Sequence, residues 1–501
     1  MNLKYKALAD VVKVVGLLIC LLIVVTANGQ SPDAVKRLLQ EDFMQGVSFA
    51  LAVRDVDTDT FLYAFDEKRR LTPASVMKTV TTATALELLG PDFCFSTVIS
   101  YKGIIRNDTL FGDLYITGGG DPTIGSQYLL TEKKKIPQTD FIEEWIVAVR
   151  TEGIRTITGS VLADERGQDR GVSPKWLLED VGNYYGAGCY GLNVFDNAYT
   201  LYLETGEAGE HPTLKYCLPE LSSICFHNAL QTIATDDGNT PVAYITGLPL
   251  SNERYLSGTV PCRRMDYPLH GDIPDPPLFL AGLFTERLCD AGIDVALTAG
   301  CLRSSLADTA IPPFSGRALF TVTSPPLGRI IRITNEYSHN LYADALLKVL
   351  GKPPGSYERG IEVLTDCWTK RGLDVIPLVM YDGSGLATAD KLSAQFVVSL
   401  LVYMAHSENA EIYLNSFPLA GKEGTVKNFL KGTHLEGIVR LKSGSMMAVR
   451  CYAGYVFYEE RRYALALLVN NYTCPSATII RAFEQLILEL FPATNKQFVK
   501  H

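Results

Sequence analysis

Three short groups of residues could do chemistry together. Ser75 and Lys78 stand three apart in Pro73-Ala74-Ser75-Val76-Met77-Lys78, and the run from Thr79 to Leu86 that follows carries no charge before Gly90-Pro91 stops it. That composition predicts a mostly buried helix beginning at or just before Ser75, with both side chains on one face about a turn apart. A hydroxyl at the positive end of a helix, beside a desolvated amine, is an activated nucleophile. Burial lowers the lysine pKa, and the helix dipole favours the developing alkoxide. Ser-x-x-Lys alone is equally what a serine N-cap with an unrelated lysine looks like. Two further groups decide the matter. Ser338-His339-Asn340 falls on a turn between two helical runs, and Lys442-Ser443-Gly444-Ser445 ends an apolar strand.

The residue types suit acyl transfer. Ser75 Oγ would attack a carbonyl and form an acyl-enzyme, with neutral Lys78 taking its proton. Ser338 is a second hydroxyl able to relay that proton to the departing amine. Asn340 can donate an amide hydrogen bond to Lys78 or to the substrate backbone. Lys442 supplies positive charge for a C-terminal carboxylate, and Ser443 adds a donor. Gly444 would let a substrate backbone lie close against the strand, as in peptide binding by edge addition.

The elements that must position these groups come from both ends of the chain. Val47 to Arg54 and Phe61 to Phe65 read as a hairpin around the polar turn 55–60, and the Ser75 helix follows at once. Apolar runs with helical spacing recur at Leu327 to Asn335, Leu341 to Leu350 and Leu392 to His406. Strands are expected at Gly437 to Lys442, Cys451 to Tyr458 and Tyr463 to Asn470, and a closing helix at Ala477 to Phe491. Helices gathered with an antiparallel sheet predict an α/β (α+β) sandwich. The catalytic domain would then be discontinuous, 30–95 and 318–501. Residues 96–317 would form a mixed, β-rich insertion of one or two nested modules, with short strands at Leu110 to Ile116 and Thr156 to Leu162 and helices near Phe141 to Gly153 and Leu278 to Gly292.

With 501 residues and 47% hydrophobic content, two or three domains with sizeable cores are expected. Lys4, Lys6 and Lys13 precede an apolar run, Val14 to Ala27, of secretory rather than membrane-spanning length, so residues 1–29 are expected to be a signal peptide. Export to the periplasm follows, an uncleaved anchor being the alternative. Losing three lysines and Asp10 with that segment leaves the chain two units more negative than its formal −9. That acidity argues against nucleic acid as a partner. Neither Cys-x-x-Cys nor His-Glu-x-x-His occurs, so neither a metal nor an organic cofactor is expected. Ten cysteines remain outside the leader. Cys217 and Cys225 are close enough in sequence to pair, but free thiols are as compatible with the pattern. Gly118-Gly119-Gly120-Asp121 reads as a turn, because no lysine follows as in a phosphate loop. Nothing sets an oligomeric state.

Ser-x-x-Lys, Ser-x-Asn and Lys-x-Gly in this order, each in its expected context, resemble the motif set of penicillin-binding proteins and serine β-lactamases. Together with PASVMKTVTTATALELLG, GDLYITGGGDPTIG, YYGAGCYGLNVFDN, SPPLGRIIRITNEYSHNLYADALLK, DGSGL, GKEGTVKNFL and VRLKSGSM, the chain resembles the D-alanyl-D-alanine carboxypeptidase/endopeptidase family of low-molecular-mass penicillin-binding proteins. The resemblance covers nearly the whole chain after the leader, and its class is the one with a large insertion between the first two motifs. It implies a penicillin-binding-protein/β-lactamase-like sandwich, peptidoglycan stem peptides as substrate, and acylation by β-lactams. It also implies an oxyanion hole from the backbone N–H groups of Ser75 and Ser445, and a pocket for the substrate's side chain near Trp176, Asp180 and Tyr185. Core packing is the other reading of Trp176. His339 stands where the family has Asp, and Ser443 where it has Thr; the first is expected to be structural or surface-exposed, and the second keeps its hydroxyl. Asp382-Gly383-Ser384-Gly385 resembles the family's own loop near the cleft. A β-lactamase-type hydrolase, or a wall-binding protein that has lost catalysis, are the competing functions.

Overall fold

The computed structural model describes residues 33–130, 139–169, 171–235, 241–303, 316–353 and 355–493. The expected signal peptide lies outside them. Among the described residues no helix is long and apolar enough to cross a membrane. The chain forms two compact units. One comprises residues up to Val80 with Leu373–Val379 and everything from Lys391 onward; the other comprises Thr81–Gly372 and Met380–Asp390. Compactness thus groups the helices between 327 and 372 with the insertion, whereas motif order had placed them with the catalytic segments.

The first unit is built on a five-stranded antiparallel sheet. Its order is Val439–Met446, Val449–Tyr458, Arg461–Asn470, Ser48–Asp55, Phe61–Phe65. The N-terminal strand pairs with the last strand of the chain, Ser48 opposite Asn470 and Asp55 opposite Tyr463, so the two ends of the sequence share one sheet. Alternation gives the sheet two different faces. Phe49, Leu51, Leu465, Leu467 and Tyr452 line one, packed with Val35 and Leu38 of the helix Asp33–Gln40 and Phe483 and Ile487 of the helix Ser476–Leu490. The opposite face carries a cross-strand row of small residues, Ala52, Ala466 and Ala453. Lys442 is the next residue in that row.

The helix Met77–Leu89 runs from the first unit into the second. It is apolar all round with threonines interspersed, the pattern of a helix without a solvent face. Its buried hydroxyls are satisfied. Thr79 Oγ1 donates to Val76 O at 2.8 Å and Thr81 Oγ1 to Gly383 O at 2.7 Å, while Thr84 Oγ1 accepts from the Trp368 indole at 2.8 Å. Such pairing removes most of the desolvation cost of a buried hydroxyl.

The second unit holds the helices Leu327–Glu336, Asn340–Leu350 and Tyr357–Lys370 and two further hydrophobic cores. One packs Trp145 and Phe284, from the helices Asp140–Thr151 and Pro276–Asp290, on a mixed seven-stranded sheet that includes Ser96–Arg106 and Thr109–Thr117. The single strand expected at 156–162 is split into Thr156–Ile157 and Val161–Asp164. The other core, Tyr199, Leu201, Ile245, Leu256 and neighbours, belongs to two small β-sheets spanning 198–272. Gly118–Gly120 is loop, as read.

Candidate active site

In the first unit Ser75 sits on a single 3-10 turn, Ala74–Val76, that leads directly into the long helix. Ala74, the residue before it, has φ +46°. That conformation costs a non-glycine residue about 1–3 kcal/mol and is often found beside reacting groups. The first N–H groups of such a turn have no intrahelical partner, and Ser75 is among them. Lys78 is fully buried, and its Nζ lies 2.9 Å from Ser75 Oγ. A hydroxyl this close to an amine at a helix start is geometrically ready for proton transfer.

Lys442 is fully buried in the strand Val439–Met446 and donates from Nζ to Ser443 O at 2.5 Å. Burial first, and then repulsion from Lys78 whenever that amine carries a proton, hold its ammonium well below the usual lysine range. With no anion bound the site disfavours the ammonium, and a ligand carboxylate would restore it. Ser443, expected as a donor to substrate, gives its hydroxyl to Thr425 Oγ1 at 2.7 Å. Thr425 lies within the stretch GKEGTVKNFL, and only the fold shows the contact.

Gly444 has a further reason to be glycine. A Cβ there would lie 2.5 Å from Pro73 O and 3.1 Å from the backbone nitrogens of Ser75 and Val76. The glycine therefore admits the nucleophile's own turn against the strand. Ser445 follows, exposed, on the same edge strand.

In the second unit the middle motif is a tight corner between the helices Leu327–Glu336 and Asn340–Leu350. Ser338 makes the corner with φ +59°. Asn340 Nδ2 donates to Tyr185 O at 2.7 Å, tying the motif to the segment expected to contact the substrate's side chain. His339 is structural. Its Nε2 lies 3.4 Å from Asp196, and its ring packs on Tyr128 and Tyr342 with centroids at 4.8 and 4.3 Å.

Trp176 resolves to its packing reading. It is buried in a small cluster with Val181, Leu386 and Ala387, and its indole N–H donates to Asp382 Oδ2 at 2.6 Å. Asp382 is a hub that also accepts from the backbone N–H groups of Ser384, Gly385 and Ala387 at 2.6–3.1 Å. Burial first, then the charge of Asp382 and a hydrogen bond to it, drive the neighbouring Asp390 carboxyl well above the usual range. The loop resembling DGSGL is thus held by two carboxyl groups. Asp180 and Tyr185 are partly buried and hydrogen-bonded to each other. Burial, then the charge of Glu179, raises the Asp180 carboxyl, and its Oδ2 is a buried acceptor with no hydrogen-bond partner among the described residues.

No disulfide joins the described cysteines; Cys217 and Cys225 are free thiols.

An antiparallel sheet backed by terminal helices, with a serine–lysine pair at the start of a buried helix and a lysine-bearing edge strand beside it, defines a serine acyl-transferring hydrolase of the penicillin-binding-protein type. The D-Ala-D-Ala carboxypeptidase 3 (S13) family profile matches residues 32–487, and the chain belongs to that family. It is 27% identical over 464 residues to a D-alanyl-D-alanine carboxypeptidase of Actinomadura sp. (strain R39), covering 90% of this chain and 82% of that one. It is 23% identical over 452 residues to the D-alanyl-D-alanine carboxypeptidase DacB of Haemophilus influenzae, covering 87% and 88%. The crystal structure of penicillin binding protein 4 (dacB) from Haemophilus influenzae shares the fold, with a TM-score of 0.77 at 19% identity over 92% of this chain and 99% of that one. That protein has also been solved complexed with a β-lactam.

Proposed function

We propose that this chain is an exported DD-peptidase of the cell wall. It removes the terminal D-alanine from stem pentapeptides, or cleaves D-alanyl cross-links, through an acyl-enzyme on Ser75 that water resolves. The observation that carries this reading is the 2.9 Å approach of buried Lys78 Nζ to Ser75 Oγ.

Ser75 Oγ adds to the carbonyl carbon of the penultimate D-alanine as its proton passes to Lys78. The N–H groups of Ser75 and Ser445 are assigned to the oxyanion. The C–N bond breaks, and the leaving amine receives the proton by way of Ser338. Asn340 is assigned to holding the substrate backbone. Water then cleaves the ester, releasing the shortened peptide and restoring Ser75. Lys442 is assigned to pairing with the terminal carboxylate, which favours its ammonium. β-Lactams present an anionic carboxylate and an acylating carbonyl to the same groups, so they acylate Ser75.

The partnerless Asp180 Oδ2 supports a finer reading. A buried acceptor beside Tyr185 fits an ammonium on the third residue of the stem peptide, such as the side chain of a diamino acid. Mass spectrometry of purified peptidoglycan fragments, taken before and after incubation with the protein, tests the proposal. Loss of one alanine from pentapeptides, or conversion of dimers to monomers, is expected. Unchanged fragments alongside rapid penicillin turnover would indicate a β-lactamase, and no reaction with either would indicate a binding protein.

A further inference from the structure

We infer that Cys225, His227 and Glu253 form a binding site for a zinc-class divalent cation, remote in sequence from every catalytic motif. Cys225 and His227 lie two apart on the short strand Cys225–Asn228 and so share one of its faces. That strand pairs in parallel with Glu253–Pro261, which sets Glu253 opposite Cys225 and Tyr255 opposite His227. Thiol, imidazole and carboxylate donors thereby meet, all exposed, with their ligand atoms within 4.8 Å of one another.

The donor atoms are close enough together to be drawn onto one ion. His227 Nε2 lies 3.9 Å from Cys225 Sγ and 2.5 Å from Glu253 Oε2. Bond lengths of about 2.3 Å to sulfur and about 2.0–2.2 Å to nitrogen and oxygen place tetrahedral ligands roughly 3.6 Å (S···N) and 3.3 Å (N···O) apart. The sulfur is already close to that position. The carboxylate has to draw back by roughly 0.8 Å on that geometry, which rotation of an exposed side chain supplies. The His227 ring is stacked on Tyr255 with centroids 4.5 Å apart and planes 13° apart, which fixes its orientation before an ion arrives. The thiol already hydrogen-bonds Glu253 and lies beside His227, so all three donors face one point. A three-ligand site leaves its fourth position to water. The sequence showed no metal signature because the third ligand comes from across a parallel ladder, 26 residues on.

The strand carrying two of the ligands is only four residues long and belongs to a sheet over a small β core. A cation held from both strands would staple it in place.

Cobalt(II) titration of the reduced full chain tests the inference. One equivalent is expected to produce tetrahedral visible bands and an intense near-ultraviolet thiolate-to-cobalt band, both removed by added zinc. Cys225→Ser should abolish the near-ultraviolet band, and His227→Ala should weaken binding roughly tenfold or more. Cys289→Ser, at the other exposed cysteine among the described residues, should change neither. Zinc should also raise the melting temperature of the unmutated protein and not of the Cys225→Ser variant. In case a variant misfolds, zinc should slow alkylation of Cys225 in the unmutated chain, read by peptide mass spectrometry, without slowing that of Cys289. Absence of the near-ultraviolet band, its survival in Cys225→Ser, or equal alkylation of Cys225 with and without zinc would overturn the site.

Discussion

Replacing Lys442 by methionine separates charge from packing at the edge strand. The lysine is fully buried, and burial together with Lys78 already depresses its ammonium. A methionine of similar volume removes that burden together with the hydrogen bond to Ser443 O. Exchanges of a buried ionisable group for an apolar one of like shape are usually neutral or stabilising. The melting temperature of Lys442→Met should therefore hold or rise. Acylation should not survive intact. A charge-assisted hydrogen bond to a carboxylate contributes about 1.5–3 kcal/mol, which is roughly a 10- to 150-fold loss in the acylation rate constant. An amidated peptide, which offers no carboxylate, should lose little in the variant.

The pH dependence has a definite sign. Below the depressed pKa of the empty site Lys442 is already charged, and carboxylate affinity is flat. Above it each ligand must bring in a proton, so affinity falls as pH rises, until the higher pKa of the complex is passed. Calorimetry in buffers of different ionisation enthalpy should show proton uptake on binding to the unmutated protein and none to Lys442→Met. Equal losses for free-acid and amidated peptides, or equal proton uptake in both proteins, would show that Lys442 is structural and refute the reasoning.

Gly444→Ala should push the Ser75 turn off the strand, since the new methyl group would sit 2.5 Å from Pro73 O. A stability loss of about 1–3 kcal/mol should accompany slow penicillin labelling, read by thermal melts and gel fluorescence. Asp180→Ala should reduce turnover of a peptide with a free side-chain amine roughly tenfold more than turnover of its neutral analogue, on the strength of one charge-assisted hydrogen bond; equal losses on both would leave Asp180 a packing residue. Asp272 pairs with the fully buried Arg254 at 2.8 Å, yet burial outweighs that charge and raises its carboxyl to about 6. Its contribution to stability is then present below about pH 4 and lost as pH rises through about 6. That amounts to about 3 kcal/mol at 1.36 kcal/mol per unit, and urea unfolding across that range should show the slope in the unmutated protein and a flatter one in Asp272→Asn.

Local composition was enough to read the helix after Ser75, because a run of threonine and alanine without charge has no solvent face to offer. It was enough as well for the corner at Ser338 and the three C-terminal strands, where helical and alternating patterns meet turn residues. What escaped depends on which elements touch. Lys442 looks like an ordinary cation until the alanine row beside it and Lys78 show it buried. Nothing in the sequence around Gly444 shows that the Pro73–Val76 turn packs against it. Trp176 is exposed or buried according to where Asp382 lies, 206 residues away. Cys225, His227 and Glu253 converge only through a parallel register that no periodicity announces. The strand expected at 156–162 is broken in two where the Ser160 N–H, between its halves, donates to Asp113 Oδ1.

The central claim, that Ser75 is the residue acylated with Lys78 as its base, is tested most directly by mass spectrometry of the intact and digested protein after brief exposure to penicillin. One adduct is expected, on the peptide containing Ser75, absent in Ser75→Ala and formed at least about a hundredfold more slowly in Lys78→Met, as befits removal of a general base. An adduct that persists in Ser75→Ala, or that maps to Ser338 or Ser384, would contradict the account.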